Sequence, residues 1–160
     1  MKLNPQNVSS TFIIMCNVKE IQSRWSPTAG DRYLHDYHDD KVNGVRLGDM
    51  AKLFENAVWT QVLILCYQPT ENLIITSNGQ KSTVTSSRNI FRKNNIWLPY
   101  IHQILALVDK DMVKTIQQFS EFIDGKQAPI DELCIQFFMK KKYSKIWATQ
   151  DIKWEVVKID

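Results

Sequence analysis

"TQVLILCYQPTENLIITSNGQKSTVTS", residues 60–86, decides the fold class. Residues 60–67 are an apolar run rich in strand formers, "QPTEN" (68–72) is a loop, and "LIITS" (73–77) is a second strand. Asn78-Gly79 is the short-range signal of a tight hairpin turn, because its residues tolerate the positive φ such turns require. "QKSTVTS" (80–86) then returns as the third strand. The segment predicts an antiparallel β meander over about 60–86.

Outward from that meander the periodicity turns helical. "LGDMAKLFENAVW" (47–59) places Leu47, Met50, Phe54 and Val58 on one side, and "NVKEIQSRW" (17–25) places Val18, Ile21 and Trp25 on one face, with Asn17 as its N-cap. Between them "RYLHDY" (32–37) holds a short strand. On the other side "WLPYIHQILALV" (97–108) reads as a helix with Pro99 in its first turn, where a missing N–H costs nothing. "DMVKTIQQFSEFIDG" (111–125) turns Met112, Ile116, Phe119 and Ile123 inward and ends at Gly125. "APIDELCIQFFMKKKY" (128–143) starts at Pro129, with acids in its first turn and lysines in its last, the order the helix dipole favours. "KIWATQDIKWEVVKID" (145–160) reads as a terminal hairpin turning near 149–151. Strands followed by helices, without βαβ alternation, predict an α+β fold: an antiparallel meander, a terminal hairpin and several packed helices. Residues 17–160 read as a single α+β domain and residues 1–16 as an N-terminal extension.

The chain has 160 residues, enough to bury roughly 70% of its unfolded surface without a metal or disulfide staple. Cys16, Cys66 and Cys134 form no CxxC pair, and an odd count without a framework points to a reducing compartment. The apolar run Phe12–Cys16 is shorter than a signal-peptide core and no span approaches a membrane-crossing length, so a cytoplasmic protein is expected. The net charge of +3 is mild for a dedicated nucleic-acid binder.

Few stretches suggest chemistry. "HDYHDD" (35–40) offers His35 and His38 beside Asp36, Asp39 and Asp40, but a zinc site needs three or four converging ligands and His-Glu-x-x-His is absent. The plainer reading is a solvated acidic loop. "SNGQKST" (77–83) lacks the spacing of a phosphate-binding loop and is better read as the hairpin. The cysteines sit in apolar runs that disfavour a reactive thiolate. "KKKYSK" (140–145) is explained as helix-end charge. The strongest candidate is the stretch 81–100, where Lys81, Arg88, Arg92 and Lys93 alternate with the aromatics Phe91, Trp97 and Tyr100. Guanidinium forks hold phosphates and aromatic faces stack bases, so these seven residues form a candidate anion or nucleotide site. The competing reading makes Phe91 and Trp97 core residues and the charges a solvated rim.

Three landmarks, "RWSPTAGD" (24–31), "IWLPYIHQIL" (96–105) and "IDELCIQFFMKKKYSKIW" (130–147), together resemble a group of small uncharacterised proteins encoded by phages and prophages of Gram-positive bacteria. That group shows an early Trp-x-Pro-x-x-Gly-Asp, a central Trp-Leu-Pro opening a helix, and a late helix ending Met-Lys-x-Lys-Tyr before a Trp-bearing strand. The resemblance implies a phage accessory protein in the host cytoplasm and transfers no catalytic residue, metal or cofactor. Three functions are expected in descending order. The first is a non-enzymatic binder that sequesters a nucleotide signal of host immunity or blocks a defence protein, for which a homo-oligomer fits. The second is a nucleic-acid-binding regulator, and the third a small metal-dependent enzyme using His35 and His38.

Overall fold

The computed structural model describes residues 8–35, 62–65, 73–78, 81–86, 92 and 95–157. Among these, five helices are formed: α1 (Ser10–Cys16), α2 (Lys19–Gln22), α3 (Ile101–Val108), α4 (Met112–Ile123) and α5 (Ile130–Tyr143). Seven strands accompany them: β1 (Arg32–His35), β2 (Val62–Ile64), β3 (Leu73–Asn78), β4 (Lys81–Ser86), β5 (Asn95–Trp97), β6 (Lys145–Ala148) and β7 (Lys153–Val156). All strand pairs are antiparallel, and the class is α+β.

The organising element is α5. Its middle carries Leu133, Cys134, Ile135, Phe137, Phe138 and Met139, all buried, so apolar residues face every side. A helix of that kind must be surrounded. Here α1, α3, α4 and the strand β6 pack around it. Asp131 and Glu132 sit in its first turn and Lys140, Lys141 and Lys142 in its last, as the charge order predicts. Ser144 closes it in the left-handed region at φ 51°.

Residues 10–16, set apart by sequence as an extension, form α1 and supply Phe12, Ile13, Met15 and Cys16 to the same core. Ser9 caps this helix by accepting from the Phe12 N–H at 3.0 Å, while its hydroxyl donates to the buried Glu132 of α5. Asn17, expected as the N-cap of the next helix, instead closes α1, and α2 is a single turn opened by Val18.

The expected hairpin of 73–86 is present, with Asn78 opposite Lys81 and two residues between them. The strand at 62–64 finds its partner further back in the chain. It pairs with β1, which also pairs with β5, giving the order β2-β1-β5. Neighbouring strands usually pair. Here the central strand carries the fully buried Leu34, opposite Ile96, and pairing on both edges satisfies its backbone inside the core.

Two further sequence expectations are corrected. Trp97 ends β5 and does not open a helix; Leu98 to Tyr100 are extended, and α3 begins at Ile101 with Pro99 outside it. Along α4, Met112 and Ile116 face outward at 36% and 52% exposure, while Thr115 and Phe119 face in. Phe119 and Phe122 both pack on Phe137, with ring centroids 5.4 and 5.5 Å away, and this contact sets the rotation of the helix. Thr115 is tolerated inside because its hydroxyl donates to the Asp111 carbonyl at 2.8 Å. The terminal hairpin forms as expected, turning through 149–152. The helix predicted over 47–59 lies outside the described residues. No helix among the described residues is long and apolar enough to cross a membrane.

Candidate ligand-binding site

The loop between α2 and β1, residues 23–31, is held by one carboxylate. Asp31 is buried and accepts from the Trp25 Nε1–H at 2.8 Å, the Thr28 backbone N–H at 2.8 Å and the Gln103 side-chain amide at 2.7 Å. A buried carboxylate is stable only when its lone pairs are met by donors, and three donors meet this one. Gly30 lets the chain turn at φ +95°, a conformation that a side chain disfavours. The Gly30 N–H then donates to the Leu65 carbonyl and the Leu65 N–H to the Asp31 carbonyl, at 2.8 and 2.9 Å, stitching the loop to the end of β2.

Gln103 carries the order onward. Its side-chain oxygen accepts from the Tyr100 N–H at 2.8 Å, so one amide caps the start of α3 and grips Asp31. Gln22 does similar work one layer deeper. Its amide accepts from the Trp97 N–H at 2.9 Å and donates to the Trp97 carbonyl at 3.0 Å, closing the edge of β5 that no strand among the described residues covers. Trp97 is thereby fixed by its backbone on both sides, since its other neighbour is Tyr33 of β1. Its indole lies parallel to that of Trp25, 6.3 Å between centroids and 2° between planes.

These elements bound a cleft of about 540 Å³, lined by Arg24, Thr28, Asp31, Trp97, Tyr100 and His102 among others. Small-molecule sites usually hold about 300–1,000 Å³, so the cleft suits a ligand of nucleotide size. On its rim the Tyr100 and His102 rings stack at 5.8 Å and 9°. Arg24 uses one N–H on the Tyr143 hydroxyl at 3.0 Å. Behind Tyr100 lies Arg32, whose guanidinium sits 4.8 Å from the Tyr100 ring centre and 5.3 Å from that of Phe12. It donates to the carbonyls of Leu98 and Pro99, both at 3.1 Å, and its burial draws its pKa below the ordinary guanidinium value. An arginine still keeps its charge there, so a cation stands behind the aromatic rim.

The structure divides the sequence candidates. Trp97 and Tyr100 line the cleft. Arg92 does not line it; its guanidinium is 3.4 Å from the carbonyls of Gln22 and Ser23. Lys81 opens β4, opposite Asn78. Arg88, Phe91 and Lys93 lie outside the described residues. So do His38, Asp36, Asp39 and Asp40, while His35 ends β1 opposite Asn95. Among the described residues no cluster of histidine, cysteine and carboxylate has a metal-binding arrangement. Of the thiols, Cys16 and Cys134 are buried and unbridged. Desolvation raises both pKa values, that of Cys134 to about 12, so these two thiols stay protonated at neutral pH.

Sequence reasoning missed Arg24, Thr28, Asp31, His102 and Gln103 as site residues. Their signal was present, because the cleft lies where "RWSPTAGD" meets "IWLPYIHQIL". Compared with protein-family models, curated proteins and solved structures, the chain matches none. The site is therefore read from its own geometry.

Proposed function

We propose that the protein acts by binding, as a phage accessory protein that sequesters a small nucleotide-class ligand in the cleft between residues 24–31 and 97–103. The observation that carries this reading is the cleft itself, where two of the three landmark stretches converge on a donor-rich, ring-lined concavity. Arg24 offers a fork for an anionic group. The Tyr100–His102 pair offers a ring face, and planar bases stack on such faces with about 1–3 kcal/mol each. Asp31, the one carboxylate among the described lining residues, already accepts from three donors and serves the loop. The buried, protonated Cys16 and Cys134 serve the core. Charge and ring faces at the same place favour a planar, anionic ligand.

The test is a calorimetric titration with the four ribonucleoside monophosphates and with oligonucleotides of the same bases. The proposal expects micromolar or tighter binding of at least one monophosphate, weakened at least tenfold by Arg24→Glu with the melting temperature kept. Binding of oligonucleotides alone, with a steep salt dependence, would favour the nucleic-acid regulator. Heat from neither would turn the reading towards a host protein as the target.

A further inference from the structure

Strand β7 of the terminal hairpin pairs with β6 on one edge, and no strand among the described residues covers its other edge. The direction of its backbone groups follows from one bond. The Val157 N–H donates to the Ser144 carbonyl at 2.7 Å, one position beyond the pair Lys145 and Val156. Bonded and non-bonded pairs alternate along an antiparallel ladder, so the backbone groups of Lys153 and Glu155 face β6. Those of Trp154 and Val156 face outward, the arrangement that offers a template to a further strand.

The side chains along this edge carry a pattern. Val156 is 65% exposed and Ile152 49%. Ile152 also holds φ 52°, a left-handed conformation that a β-branched residue rarely takes. Between them Lys153 and Glu155 share the face opposite the half-buried Trp154 ring, 3.3 Å apart and open to solvent. A lysine alone on an edge discourages pairing. Here an acid follows two residues later, so the edge carries both signs at the spacing of one strand face.

A strand that meets its own copy antiparallel presents the same residues in reverse order. Registers centred on Lys153 or Glu155 set that residue against its own copy, like charge facing like, which destabilises a sheet. The register centred on Trp154 sets Lys153 opposite the partner's Glu155 on both sides of the axis. It also brings the exposed Ile152 beside the partner's Val156, and it joins the outward backbone groups of Trp154 and Val156 to outward groups of the other copy. We propose that β7 pairs in this register with β7 of a second copy of this chain, across a two-fold axis, turning two hairpins into one four-stranded sheet. The proposal stands apart from the cleft and does not depend on what the cleft binds.

The test is sedimentation velocity of the full-length protein over a concentration series reaching high micromolar, with two single charge reversals. Wild type is expected to form a dimer. Lys153→Glu and Glu155→Lys each place like charges opposite one another and weaken the dimer at least about tenfold, with the circular dichroism spectrum unchanged. An equimolar mixture of the two variants restores it, because one edge then carries two acids and the other two lysines. That rescue separates pairing between copies from the ion pair within one chain, which stays broken in both variants. A wild-type monomer at every concentration overturns the proposal. So does a dimer that neither reversal weakens, which would place the contact elsewhere, and so do weakened variants whose mixture fails to associate.

Discussion

Two tryptophan pairs brace this molecule, and they are built differently. In the terminal hairpin Trp147 and Trp154 face each other across β6 and β7, 5.2 Å apart and nearly edge to face at 69°. Both are half-buried, and the Trp154 N–H donates to the Met15 carbonyl at 3.2 Å, which fastens the hairpin onto α1. At the cleft Trp25 and Trp97 lie parallel, both buried, and only one of the two N–H groups is used. The hairpin pair looks optimised for holding: edge-to-face geometry and a satisfied donor. The cleft pair leaves the buried Trp97 N–H without a partner among the described residues, a cost the hairpin pair's Trp154 does not carry.

The largest expected effect comes from removing the carboxylate that holds Trp25 and the loop around it. Asp31→Ala strips the acceptor from Trp25, Thr28 and Gln103 at once and should cost about 3 kcal/mol or more in urea unfolding. The corresponding cut in the terminal hairpin, Trp154→Ala, removes a half-exposed ring and one hydrogen bond and should cost about 2 kcal/mol. Comparable losses would mean that the loop carboxylate holds less than its three donors imply. The contrast sharpens within the cleft pair. Trp25→Phe and Trp97→Phe remove similar volume, but only the first breaks a hydrogen bond to a buried carboxylate. Trp25→Phe should therefore be the more destabilising by about 1.5–3 kcal/mol without ligand. Equal costs would mean that the Trp97 N–H has a partner in solution.

A smaller effect is expected from pH. The Glu20 carboxylate accepts a hydrogen bond from Lys145 of β6, and that bond is the main cause of its pKa falling below the ordinary glutamate value. A lowered carboxyl pKa stabilises the fold above the unfolded value and is lost as pH falls through the folded one. Hairpin amide protection should therefore weaken below about pH 4. At the alkaline end the sign is opposite. Cys16 and Cys134 bind their protons more tightly when folded, so their contribution is complete below the ordinary thiol range. It is lost as pH rises above that range, for Cys134 towards about 12. Peptide-resolved alkylation at pH 8 should leave both unmodified until denaturant is added.

The same contrast explains what was legible in the sequence. The terminal hairpin was readable because it is local: alternating residues, a polar turn, and partners within a dozen positions. The 73–86 hairpin and α5 were readable for the same reason. Strand β1 was placed but its partners were not, because residues 62–64 and 95–97 reach it across long separations that periodicity does not encode. Trp97 was misassigned to a helix because Pro99 resembles a first-turn proline, although the chain stays extended until Tyr100. The candidate site was half legible. Trp97 and Tyr100 were named from their own stretch, but Arg24 and Asp31 lie some seventy residues earlier and meet them only in the folded chain. Asp31 in particular reads as a loop acid until its three buried donors are seen.

The most direct test of the binding account is native mass spectrometry of full-length protein purified from bacteria, compared with its denatured spectrum. The account predicts an added mass of nucleotide size on the native protein, released on denaturation and absent from Arg24→Glu. A bare mass after incubation with millimolar ribonucleoside monophosphates, from protein whose fold is intact, would contradict it.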